Sequence, residues 1–154
     1  MSETQWPTVR GKLQQGHQVA SGKAGDARFP HGTLALQAPI FARMGFPIDS
    51  FFPGTLNIRI APHRYEVLQS IRTFRNLKWH PETAAEDFSF YDCRVRTEET
   101  GDFKDALVYR PHPETKPDHF QDPTVLEILA PRLEGAIYGT LMELQLPPEQ
   151  VRIV

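Results

Sequence analysis

Apolar and polar residues alternate with period two along several short stretches of the chain. Leu56, Ile58 and Ile60 alternate with Thr55, Asn57 and Arg59, which predicts a turn at Pro53-Gly54 and then a strand with one apolar and one polar face. From Asp87 to Arg96, Phe88, Phe90 and Asp92 alternate against Ser89, Tyr91, Cys93 and Val95. A polar turn over Thr97–Asp102 and a returning strand over Ala106–Tyr109 complete a predicted hairpin. Thr124–Ala130 and Val151–Val154 are two further strand candidates. Val9–Ser21 has β-formers at both ends around Gly16, and reads as one bulged strand or a strand running into a loop. One stretch has a helical period instead: Ala35–Phe46 places apolar residues at 36, 40, 41 and 44 on one face, with Pro39 expected in the first turn and Gly45 as the C-terminal cap. His63–Phe74 reads as a short helix or an irregular segment.

Two long loops separate these elements, Ser21–Gly32 and Arg110–Pro123. Fourteen prolines in 154 residues are nearly twice the usual share of about 5%, and with ten glycines they exclude long helices over most of the length. The expected class is mainly β, with one or two short helices, in a single domain spanning residues 1–154. The net charge of -2 argues against a nucleic-acid binder, and no apolar run reaches the about 18 residues of a membrane span. Cys93 is the single cysteine, so internal disulfides and cysteine-built zinc sites are excluded, and its place in a strand pattern predicts buried packing. A cytoplasmic protein is expected, without nucleic-acid or membrane partners. Gly-Thr-Leu recurs at 32–34, 54–56 and 139–141 with differing flanks, which fits chance recurrence better than a duplicated half-barrel.

Three stretches carry candidate chemistry. The loop Ser21-Gly22-Lys23-Ala24-Gly25-Asp26 is neither a P-loop, which needs a hydroxyl where Ala24 stands, nor a G-x-G-x-x-G fingerprint. Its backbone N–H groups, helped by Lys23 and Arg28, suit a phosphate; the bland alternative is a charged surface loop. Thr55 and Asn57 stand at i and i+2, so on a strand both side-chain oxygens point the same way. Such neutral oxygens suit a Mg²⁺ that takes most of its negative charge from substrate phosphates, while the plain alternative is a solvated strand face. In the proline-rich loop, His112, Glu114, Asp118 and His119 offer a metal or acid–base cluster, and metal-dependent hydrolysis through His112, Asp118 and His119 is one reading. Anion recognition by Arg110, Lys116 and His119 is another, and a solvated loop a third.

Taken in order, these segments resemble the archaeal-type, CTP-dependent riboflavin kinase family. The residues that carry the resemblance are Val19-Ala20-Ser21-Gly22-Lys23-Ala24-Gly25-Asp26, Met44-Gly45-Phe46-Pro47, Pro53-Gly54-Thr55-Leu56-Asn57-Ile58, the Arg110-Pro111, Thr115 and His119 loop, and Leu126-Glu127-Ile128-Leu129-Ala130-Pro131-Arg132-Leu133-Glu134. The similarity spans nearly the whole chain, with Ala24 standing where the family has a glycine. It implies a small six-stranded Greek-key barrel of the cradle-loop type, and transfer of the γ-phosphate of CTP to the riboflavin 5′-hydroxyl with Mg²⁺. By the same resemblance Thr55 and Asn57 hold the Mg²⁺. Ser21, Gly22, Lys23, Ala24, Gly25 and Asp26 hold the nucleotide, with Arg132, Leu133 and Glu134 as its second segment. Glu127 and Thr115 contact the flavin, and His119 belongs to the same acceptor-side loop. The alternative from a different class is a non-catalytic barrel that binds a nucleotide or a flavin.

Overall fold

Nine strands and one helix form among the residues that the computed structural model describes: 5–14, 33–52, 54–81, 84–97, 100–112, 122–133 and 136–154. The longest elements are β5 (Glu86–Thr97) and β6 (Thr100–Pro111), the two arms of the expected hairpin. Their pairing runs on to Thr97↔Thr100, so β6 starts well before Ala106. Strand β6 then pairs with β7 (Val125–Leu129), β7 with β2 (Leu56–Arg59), β2 with β1 (Thr8–Gln14), and β1 with β8 (Leu141–Gln145), all antiparallel. Strand β8 returns to β5, where Arg94–Thr97 pair with Met142–Gln145, and six strands close into a ring. Closure relies on the length of β5. The first half of one of its edges is taken by β4 (Arg72–Leu77), and the second half of that edge by β8. At this seam Arg96 lies directly across from Glu143 and its guanidinium meets the carboxylate at 2.9 Å.

Alternation sends one side chain in two into the ring. Ile58, Ile60, Val95, Leu126, Ile128, Met142 and Leu144 are fully buried there, with Tyr91, Cys93 and Val108 beside them. Leu56 is half-buried against the same core rather than enclosed by it. Burial pushes the Cys93 thiol pKa far up, with the neighbouring Asp92 adding to the effect. Strand β1 crosses so close to β2 that a Cβ on Gly11 would lie 2.4 Å from Ile58 Cγ2 and 2.9 Å from the Arg59 carbonyl oxygen. A two-stranded ribbon, β3 (Tyr65–Val67) with β9 (Val151–Ile153), packs Tyr65, Val67 and Ile153 against this interior.

The other face of β4, β5, β6 and β7 carries a second core beneath α1 (Thr33–Arg43). The helix buries Leu34, Gln37 and Phe41, spaced three and four residues apart on one face. Phe41 meets Phe74, Phe88 and Phe90 at ring-centroid distances of 5.0, 5.5 and 5.2 Å. The helix ends as expected at Gly45, whose φ of 86° is open to glycine. The Phe46 N–H reaches the Phe41 carbonyl at 2.9 Å and the Gly45 N–H reaches Ala42 at 3.0 Å, a Schellman closure. Pro39 stands in mid-helix, not in the first turn, on the exposed side.

Three expectations change. His63–Phe74 holds neither a helix nor an irregular run, but β3 and the start of β4. Arg110 and Pro111 belong to β6 instead of the following loop. Strand β8 is an element that the sequence reading left out. The loop Ser21–Gly32 and most of Arg110–Pro123 lie outside the described residues. Among those described, no helix is long and apolar enough to cross a membrane.

Candidate functional site

The register of the ring decides which candidate residues meet. Asn57 pairs with Gln14 on β1 and with Glu127 on β7, so these three side chains form one lateral row. Directly opposed residues of antiparallel strands share a face and place their Cβ atoms about 4.5–5.5 Å apart. Extending the pairing of Leu107↔Leu129 and Val108↔Ile128 by one step puts Tyr109 across from Glu127, and Tyr109 pairs with Phe90 beyond it. The row runs from aromatic residues beneath α1 to polar residues at the flank of the helix. The sequence made Asn57 polar-faced; the fold places a carboxylate beside it.

Asn57 and Glu127 are half-buried, as is Thr55 at the entry to β2. The Glu127 Oε2 atom is shut off from solvent. Burial raises the pKa of the Tyr109 and Tyr65 hydroxyls, and the Glu127 charge adds to the effect at both. For Tyr109 burial is the largest cause, followed by Glu127 and Glu86, and the hydroxyl stays protonated well beyond its ordinary range. That proton is donated to Gln37 Oε1 at 2.7 Å, which ties α1 to the row. Glu86 in turn accepts from Trp79 Nε1 at 2.6 Å.

Thr55, Asn57 and the Glu127 carboxylate carry oxygen atoms of the hard kind that Mg²⁺ prefers. No group of three His, Cys, Asp or Glu able to hold a metal alone occurs among the described residues. A cation here would draw its remaining ligands from water and from a bound phosphate. Arg132 is exposed, with its guanidinium 5.4 Å from the Phe52 ring, and the Phe52 N–H bonds the Ala130 carbonyl at 3.0 Å. The two segments before Thr55 and after Leu129 therefore run side by side. Leu133 packs toward the ring interior. Ser21, Gly22, Lys23, Ala24, Gly25, Asp26, Thr115, His119 and Glu134 lie outside the described residues, as do Glu114, Lys116 and Asp118.

A second polar cluster was not foreseen. His112 Nε2 and Ser89 Oγ lie 2.6 Å apart, Ser89 and Thr73 2.8 Å, and Thr73 and Ser70 2.6 Å. These residues come from three separated stretches, so no single motif could have shown them. Gln14 and Tyr109 were missed for the same reason, since their place depends on strand register. The chain matches no family model and no curated protein.

Proposed function

We propose that this protein is a Mg²⁺-dependent phosphotransferase resembling the CTP-dependent riboflavin kinases, which moves the γ-phosphate of a nucleotide to riboflavin or a related hydroxyl acceptor. The observation that carries this reading is the direct pairing of Asn57 with Glu127. The resemblance gives the metal to the first and the flavin to the second. In-line transfer requires the acceptor hydroxyl to lie next to the metal-bound phosphate. The pairing supports the reading because it would set such an acceptor beside such a metal. In this reading the six-stranded ring is the cradle-loop barrel. The loop from Ser21 to Asp26 and the segment Arg132–Glu134 hold the nucleotide, and Thr115 and His119 serve the acceptor side. Bound through Thr55 and Asn57, Mg²⁺ would neutralise phosphate charge; Glu127 would orient the acceptor.

The test is a nucleotide-by-acceptor screen. The protein is incubated with riboflavin, Mg²⁺ and each of CTP, ATP, GTP and UTP, and FMN is separated and read by fluorescence. FMN formation, highest with CTP, is expected. Flavin or nucleotide binding without any transfer would favour the non-catalytic binder instead.

A further inference from the structure

Thr73, Ser89 and Arg110 form a second lateral row, on three adjacent strands: Thr73 pairs with Ser89, and Ser89 with Arg110. Arg110 follows Tyr109 along β6, so it projects to the face opposite the Asn57–Glu127 row. Around it stand Tyr65 from the ribbon and Tyr91, both close enough to the Arg110 guanidinium to feel its charge. His112, just past the end of β6, closes on Ser89, and Ser89 continues to Thr73 and Ser70. The cluster is thus buried at Ser89 and His112 and partly exposed at Arg110, Tyr65 and Ser70.

Its chemistry is that of a donor-rich cup. A guanidinium offers five N–H groups in a planar fork, and among the described residues no carboxylate lies within ion-pair distance of Arg110. The Tyr65 hydroxyl stays protonated beyond its ordinary range, chiefly through burial, and so offers a further O–H donor. The hydroxyls of Ser70, Thr73 and Ser89 can each donate or accept along this chain. Two acids act on Tyr65 from nearby: Glu127, and more weakly Asp122, which accepts from the Thr124 N–H and hydroxyl at 2.8 and 2.7 Å.

We propose that Arg110 and Tyr65, backed by Ser89 and His112, bind the phosphate group of a small phosphomonoester. The site is independent of the phosphotransferase reading, because it uses none of the residues assigned there and faces the other side of the same strands. Phosphate is favoured over carboxylate because its three outer oxygens can take the guanidinium fork and a hydroxyl together.

The unmodified protein is titrated with inorganic phosphate, and with acetate at matched ionic strength, by calorimetry. Arginine modification by butanedione is mapped by mass spectrometry with and without phosphate. The expected result is phosphate binding stronger than acetate binding, with Arg110 protected by phosphate. Affinity should fall by about tenfold or more in both Arg110→Gln and Arg110→Lys, since lysine keeps the charge but loses the fork, while Arg75→Gln binds as the parent does. If Arg110→Gln does not fold, Arg110→Lys and the protection pattern of the parent decide. Absent phosphate binding, an unprotected Arg110, equal affinity for acetate, or equal losses in Arg75→Gln each overturn the site.

Discussion

At Asn57 a single neutral oxygen separates two outcomes. The side chain is half-buried beside Glu127 and contributes nothing to either apolar core, so Asn57→Leu should leave the melting temperature close to that of the parent. Mg²⁺-dependent nucleotide affinity should fall by about tenfold or more, because the proposed Mg²⁺ site would lose one of its few protein ligands. Both quantities are measured with and without Mg²⁺; unchanged affinity removes Asn57 from the site. Gly11 behaves in the opposite way. An added methyl group meets not only the tip of Ile58 but the Arg59 backbone oxygen, which cannot rotate aside. Gly11→Ala should cost about 1–3 kcal/mol of stability, read from the urea midpoint, without a direct effect on ligand binding. The shared face of Thr55 and Asn57 was legible from alternation alone. That Glu127 would face Asn57 was not, because register joins strands some seventy positions apart and leaves no local mark.

Among the elements, those with a strong apolar period were readable and those without one were not. The β2 and β7 patterns are alternating or nearly continuous in Leu, Ile and Val, and both strands lie where the pattern put them. Strand β4 reads Arg-Thr-Phe-Arg-Asn-Leu with only Phe74 fully buried, so it offers no alternation, and its pairing with β5 is what makes it a strand. Strand β8 did carry a signal in Met142, Leu144 and Leu146, which all face the interior. The position of α1 was readable, but the tolerance of Pro39 was not: a mid-helix proline is acceptable here because tertiary packing, chiefly Phe41, holds the helix down. Phe41→Ala should therefore cost about 3–5 kcal/mol and loosen α1 before the ring, seen as faster amide exchange in the helix than in β5 and β6.

For the whole molecule, burial has set several acidic groups against alkali. Cys93, Tyr65, Tyr91 and Tyr109 all have pKa values raised by desolvation, so the folded chain holds protons that the unfolded chain releases. Stability is fully present below the ordinary pKa values, 9.0 for Cys93 and 10.0 for the tyrosines, and declines above them. Each buried group adds a slope of up to about 1.4 kcal/mol per pH unit, so the urea midpoint should drop steeply above that range. Cys93 should react with thiol reagents only at the rate of unfolding. The seam at β8 has a consequence in time. Its partners β1 and β5 stand far away in sequence, whereas β5 and β6 are paired neighbours along the chain. Pairing neighbours carries little loop-closure entropy and pairing distant ends carries much. The hairpin should zip first and the ring should lock last, so pulsed hydrogen exchange during refolding should protect β5–β6 amides well ahead of those in β1 and β8. Until that final step two strand edges stay bare, and a refolding chain is most prone to pair with its neighbours in that interval.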